Sequence, residues 1–362
     1  MDTNERDRQI EELTPLLNDM FNIDAFYSHG RRFSFSLSYR YDRKKSEKLI
    51  EDRLRLAGYD FTLKTADDTL VLDIDPRKKL KIPRINVILF FITLFTVYFV
   101  PVYLKNLSGE NVLDRTLQDL AAGAGIEFTL AIISILFVHE MGHFIASRRR
   151  GIITSWPYFI PAPNIIGTFG AIIKSKSPFR NRRDLIEVGA AGPIAGWIVA
   201  IFWLFYGLSK SVILPAAAVP ATSLVFTLEG ESILIRLLAP LLVGTPPDNY
   251  YYVFTEAAFA GWVGILITAI NLLPIGQLDG GHIIYGLLRR RQKYFGWGAM
   301  LGLLALGFQS PMWWFFAAFG FIFGVAHPPT MEDYRESGNT AGTMGIAALI
   351  ILMLSFTPIP FH

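Results

Sequence analysis

The 362-residue chain contains no cysteine. That excludes disulfides and thiolate metal ligands, so any zinc has to be held by histidine, aspartate or glutamate. Charged residues make up only 18% and hydrophobic ones 52%, a balance that describes a polytopic membrane protein with a soluble appendage. The first long apolar run begins only at Ile85, so no N-terminal signal peptide is expected. Lysine and arginine nearly vanish from 209–256. The formal net charge of +3 says less than the positions of the charges do.

Residues 1–81 read as a small soluble α+β domain. Phe33, Phe35, Leu37, Tyr39 and Tyr41 alternate with Arg32, Ser34, Ser36, Ser38 and Arg40, the period of a half-buried strand. Residues 44–57 carry Leu49, Ile50, Leu54 and Ala57 on one helical side, with Gly58 placed as a C-cap. Two short strands follow at 61–65 and 70–74, turning at Asp67-Asp68. The domain shows no catalytic constellation and reads as an accessory unit.

From residue 82 to 362 the chain reads as a membrane domain with its catalytic core at about 125–293. Apolar runs lie at 85–104, 126–147, 185–208 and 257–273, with shorter ones near 295–309, 311–326 and 343–357. The expected fold class is an α-helical polytopic membrane protein with six to seven transmembrane helices and an N-terminal soluble α+β domain. Pro215, Pro220 and Pro240 break the segment 212–245, which either spans or lies at the interface. Basic clusters stand at Arg77-Lys78-Lys79 with Lys81, at Arg148–Arg150, at Arg180, Arg182 and Arg183, and at Arg289–Arg291 with Lys293. They predict a cell-membrane protein whose N-terminal domain, 148–184 loop and 289–293 turn are cytoplasmic.

Inside the second apolar run sits Phe137-Val138-His139-Glu140-Met141-Gly142-His143. Ionisable groups at membrane depth are costly and mark function. On a helix, His139 and His143 share a face and can reach one zinc ion, with Glu140 beside them to handle a proton. A catalytic zinc takes a third protein ligand and keeps one position open. Asp279 offers it, in Asn271-Leu272-Leu273-Pro274-Ile275-Gly276-Gln277-Leu278-Asp279-Gly280-Gly281-His282. Pro274 and the glycines break this helix, which is tolerated where it lines a cavity. His139 precedes Arg148 by nine residues and Asp279 precedes Arg289 by ten, roughly 13 and 15 Å along a helix, so the two halves meet at one level. His282 is an alternative ligand, and Asp279 an alternative turn residue. Asn271 serves either as an extra oxyanion donor or as a packing amide. His327 reads as a helix-end residue, and His29 and His362 as incidental.

The two motifs together resemble the site-2 protease family of intramembrane zinc metalloproteases. His139, Glu140 and His143 match its HExxH, and Asn271, Pro274, Leu278, Asp279 and Gly280 match its second motif. Gly167–Ala171 and Ala260–Gly264 are similar to the branch shared by archaeal members and the chloroplast ethylene-dependent gravitropism-deficient and yellow-green proteins. The likeness covers about 125–330. It implies a protease that cuts transmembrane segments, with His139, His143 and Asp279 as ligands of one Zn2+ and Glu140 as catalytic acid/base. Residues 168–176 read as a strand or hairpin at the cytoplasmic interface, where Gly170 and Ile172 offer an edge to an extended substrate. The expected partners are a transmembrane protein substrate, the lipid bilayer and, through residues 1–81, a second copy of the chain; direct contact with nucleic acid is not expected. The rival reading is a membrane-embedded zinc-binding scaffold or transporter without turnover. A transporter wants acidic or histidine sites along a path, whereas here the polar groups converge on one level.

Overall fold

The computed structural model describes residues 3–360 except 30–31, 58, 60, 67–68, 75–81, 108, 151, 153, 176–178, 221–223, 331–332 and 334–336. The Gly58 cap, the Asp67-Asp68 turn, the Arg77–Lys81 basic cluster, Lys176 and His362 therefore lie outside the described residues. The chain divides into two compact units. One comprises 1–82 with 147–155 and 175–178, and the other holds the remainder.

The first unit contains α1 (Thr3–Asn18), β1 (Phe21–His29), β2 (Arg32–Tyr39), α2 (Arg43–Ala57), β3 (Phe61–Ala66) and β4 (Thr69–Ile74). The strands form an antiparallel sheet in the order β1-β2-β4-β3. Alternation drives it: Phe33, Phe35, Leu37, Leu70, Leu72 and Ile74 are buried with Leu13 and Leu17 of α1 and Ile50 and Leu54 of α2. The β2 serines alternate with these core residues and remain half-exposed. Two elements escape the sequence reading. In α1 the buried Leu13 and Leu17 are set among charges and around Pro15, and in β1 an irregularity between Ile23 and Ala25 breaks the alternation.

The second unit begins with α3 (Arg84–Asn106), α4 (Val112–Ala121) and α5 (Ile126–Arg149). There follow β5 (Tyr158–Pro161), β6 (Thr168–Ile172), α6 (Arg182–Leu208), β7 (Val212–Pro215), β8 (Leu224–Phe226), α7 (Ile233–Leu242) and β9 (Tyr250–Phe254). It ends with α8 (Glu256–Asn271), α9 (Asp279–Leu288), α10 (Gln292–Leu306), α11 (Met312–Phe323) and α12 (Asn339–Ser355). Among the described residues α3, α5 and α6 are long and apolar enough to cross a membrane, and α7, α8, α11 and α12 are apolar but shorter. The polar N-caps Asn181, Ser232 and Thr255 start α6, α7 and α8 by accepting backbone N–H bonds from Asp184, Ile235 and Ala258. The segment 212–254 folds as a three-stranded sheet, β7-β9-β8, with α7 inserted. Ten residues of α7 span only about 15 Å, half the hydrocarbon thickness. Helix α6 is the hub, packing on α8, α9, α12 and α7.

The hairpin β5-β6 packs against α3. Asn86, near the start of α3, donates to the carbonyls of Trp156 and Pro157 at 3.1 and 2.8 Å. At the turn, a Cβ on Gly167 would come within 2.5 Å of Thr96 O and Val97 Cα. Asn86 and Thr96 are about 15 Å apart along the helix. The hairpin therefore runs along α3 toward its middle. Its apolar residues explain this: Phe159 is buried and meets Phe90 of α3 edge-on at 5.2 Å.

Candidate metal centre

Helix α5 carries His139 and His143 one turn apart, both with Nε2 turned to the same point. Their Nε2 atoms are 3.1 Å apart, and Asp279 Oδ2 lies 3.5 Å from His139 Nε2 and 3.3 Å from His143 Nε2. A tetrahedral zinc with nitrogen and oxygen ligands at about 2.0–2.2 Å has edges of about 3.3–3.6 Å, which the two separations from Asp279 match and the 3.1 Å between the imidazoles falls just below. The three donor atoms thus have the spacing of one face of such a site. Among the described residues this is the one cluster of three such groups.

Helix α6 completes the setting. The Nδ1–H of His143 donates to Val188 O at 2.8 Å, which leaves the lone pair on Nε2 facing Asp279. A Cβ on Gly192 would come within 2.1 Å of His143 Nε2, and one on Gly196 within 2.9 Å of His139 Cβ. Both imidazoles are therefore seated against bare backbone. The sequence reading missed Val188 and these two glycines. The Gly192-x-x-x-Gly196 spacing on an apolar helix, a mark of close helix approach, was the available signal for the glycines; a backbone carbonyl leaves none.

Asp279 comes from a broken helix. Helix α8 closes where Leu272 N donates to Thr268 O, and Pro274 has no N–H with which to continue it. Leu278 is extended and Asp279 opens α9, so the carboxylate sits at a helix N-terminus, where the peptide dipoles favour negative charge. Glu140 is buried at 6% exposure, next in sequence to His139.

The other candidates fall elsewhere. His282, one turn beyond Asp279, has its Nδ1 2.7 Å from His327 Nε2 and does not join the trio. His327 is thus tied to α9, where the sequence had suggested only a helix end. Asn271 closes α8, half-buried, and Pro274 lies in the break. Gly170 and Ile172 stand on β6, with Ile172 exposed and nothing within 4 Å of a Cβ on Gly170. His29 ends β1 in the first unit.

The chain matches the model of peptidase family M50 over residues 127–306. It is 29% identical, over 96% of its length and 66% of the relative's, to the probable zinc metalloprotease EGY2, chloroplastic, of Oryza sativa subsp. indica. The Arabidopsis thaliana protein of the same name is 28% identical over 97% of the chain and 65% of the relative. The Arabidopsis probable zinc metalloprotease EGY1, chloroplastic, is 31% identical over 65% of the chain and 43% of the relative. The chain thus spans just under two thirds of the EGY2 proteins, and that likeness extends beyond 125–330 into the N-terminal domain. No solved structure matches the chain.

Proposed function

Since the chain belongs to peptidase family M50, the site-2 proteases, we propose that it is an intramembrane zinc metalloprotease cutting peptide bonds in or near transmembrane segments of other proteins. The observation that carries this reading is the convergence of His139 Nε2, His143 Nε2 and Asp279 Oδ2 at 3.1–3.5 Å. These three would hold the zinc, which, when bound, supplies a Lewis acid for the scissile carbonyl and an acidified water. Glu140 takes the proton of the attacking water on its carboxylate and returns it to the departing amide nitrogen as the C–N bond breaks. Asn271, at the end of α8, is the candidate extra donor to the carbonyl oxygen as it gains charge.

A helical substrate has to unwind before its backbone can be cut, and lipid offers no partners for the freed groups. The β6 edge supplies them: β6 is paired on one side only, to β5, and Phe169 and Ile172 are exposed. Added there as a strand, the substrate keeps its backbone bonded at membrane depth. The chain is then a multi-pass protein of the cell membrane with six to seven spans. Its basic clusters support a cytoplasmic N-terminus and a site opening to that side. Release of a regulator from the membrane is the outcome such cleavage serves, and residues 1–81, alone or as a homodimer contact, are the accessory unit.

The test is Glu140→Gln, assayed on a helical membrane substrate with metal analysis of both proteins. Wild type should carry one zinc per chain and cleave, and the variant should keep the zinc and lose at least ~100-fold in rate. Undiminished cleavage by the variant excludes the acid/base role. Zinc in the wild type with no cleavage of any helical substrate favours a scaffold.

A further inference from the structure

We propose that Gln292 is a positioning residue of the metal centre: its buried amide ties the loop that delivers Asp279 to the segment that holds His282. The assignment rests on the reading of His139, His143 and Asp279 as zinc ligands.

In sequence Gln292 looks like part of a solvated basic turn, between Arg289–Arg291 and Lys293. The structure buries it, at 1% exposure, as the first residue of α10. Its Nε2 donates to Pro274 O at 2.8 Å and to Val325 O at 3.0 Å, while its Oε1 accepts from His327 N at 2.9 Å. One side chain thus bridges two irregular segments, the α8–α9 break and the stretch after α11. The bridge is reinforced where Gly276 N donates to Val325 O at 2.9 Å. Gly276 has φ +52°, and a Cβ there would lie 2.1 Å from Gly324 O, so the two backbones are in direct contact.

From this clamp two routes lead to Asp279. One is covalent, through residues 274–278 into the first residue of α9. The other runs through His327. Its Nδ1–H donates to Pro328 O at 2.5 Å, which leaves its Nε2 lone pair to accept from His282 Nδ1–H at 2.7 Å. His282 is one helical turn past Asp279, so this bond holds the first turn of α9 from behind. A catalytic metal needs its ligands placed within a few tenths of an ångström, and outer partners that orient ligands commonly govern affinity 10–100-fold. Asp279 starts a helix after a break in the helical backbone ladder. Leu273 and Ile275 pack the break into the core, and Gln292 supplies the side-chain hydrogen bond to its Pro274 carbonyl.

The test uses the full chain in detergent, with Gln292→Met, Gln292→Glu and, as a control, Trp313→Phe. Methionine keeps the size and removes all three bonds. Glutamate keeps the acceptor for His327 N–H and loses both donor bonds. Trp313→Phe removes another buried bond, Trp313 Nε1–H to Pro358 O at 2.7 Å, that touches neither segment. Zinc affinity is read by competition with a chelator, alongside kcat, KM and thermal melting. Gln292→Met should weaken zinc binding 10–100-fold and lower kcat with KM unchanged, and Gln292→Glu should fall between it and wild type. Trp313→Phe should leave zinc affinity intact even where its melting point falls equally. Wild-type zinc affinity in Gln292→Met overturns the assignment; should that variant not fold, wild-type affinity in Gln292→Glu does so. Loss of zinc in step with melting point in all three variants also overturns it. A wild-type chain that binds no zinc removes the metal reading itself, and is told apart by that result.

Discussion

At the scale of single residues, the centre depends as much on what is missing from α6 as on what α5 and α9 supply. His143 is fixed at both ring nitrogens, Nδ1 by Val188 O and Nε2 by its approach to Asp279. Its ring lies where a side chain on α6 would otherwise be, since a Cβ on Gly192 would stand 2.1–2.5 Å from three of its atoms. Those atoms belong to a ring held at both ends, so they cannot swing aside as a flexible side chain would. Gly192→Ala should therefore displace His143 and cost on the order of 100-fold in cleavage, the usual effect of a misplacement near 1 Å. Zinc content should fall with it, which metal analysis checks. A fully loaded, fully active Gly192→Ala chain would show that the imidazole has another place to go.

At the scale of elements, legibility in the sequence followed the strength of the periodic signal. The long apolar runs marked α3, α5 and α6, and the Phe33–Tyr39 alternation marked β2, because each repeats over many residues. The four residues proposed to carry the chemistry stood out for a different reason, since ionisable groups are conspicuous in an apolar run. Not every short element was legible. The strands at 61–65 and 70–74 were, as β3 and β4. But β7, β8 and β9, three to five residues each, pair with partners distant in sequence, and the ten-residue α7 lies among breaking prolines. Nor was the packing of the β5-β6 hairpin along α3 legible, which depends on Asn86 and Gly167 meeting other backbone. That packing makes a prediction. Gly167→Val should force the turn off α3, both through the 2.5 Å contacts and through its φ of +80°. Cleavage should fall at least ~10-fold while zinc content holds, because the ligands are on other elements; equal cleavage would separate the hairpin from substrate handling. A second prediction belongs to the β2–α2 contact. The Tyr39 hydroxyl donates to Glu47, which holds that carboxyl below its usual range, while burial and the carboxylate push Tyr39 up to about 12. A lowered folded-state value stabilises the fold at neutral pH and is lost as pH falls through it. Protection of the 43–57 amides, taken relative to their intrinsic exchange rate at each pH, should fall on acidification below about pH 4.3, the range where an unperturbed glutamate titrates. In Glu47→Gln the acid step should shrink; an unchanged step would assign the acid sensitivity to other carboxylates.

At the scale of the molecule, the orientation in the membrane rests on where the basic residues fall, and the lack of cysteine makes it directly measurable. Every thiol introduced is the only one present, so labelling of single-cysteine variants with an impermeant maleimide reports one position at a time. Tyr27, Arg290 and Asp248 are exposed. The charge asymmetry predicts that cysteines at 27 and 290 label from the cytoplasmic side and one at 248 from the opposite side. The decisive position is Gln309, exposed between α10 and α11. Those helices have 15 and 12 residues, or about 22 and 18 Å of rise against a hydrocarbon layer of about 30 Å. Neither crosses as a straight ideal helix in an undeformed bilayer. If both cross, the bilayer is thinned around them, Gln309 lies opposite Arg290, and Asn339 returns to the side of Arg290. If neither crosses, Gln309 labels from the same side as Arg290, and the pair is a re-entrant hairpin. The arrangement of α10 favours crossing: its first residue is clamped beside the α8–α9 break, and Arg289–Arg291 hold the connection at the basic side. Labelling of Gln309 from the side opposite Arg290 is the expected result, and labelling from the same side would reduce the span count by two while leaving the metal centre where it is.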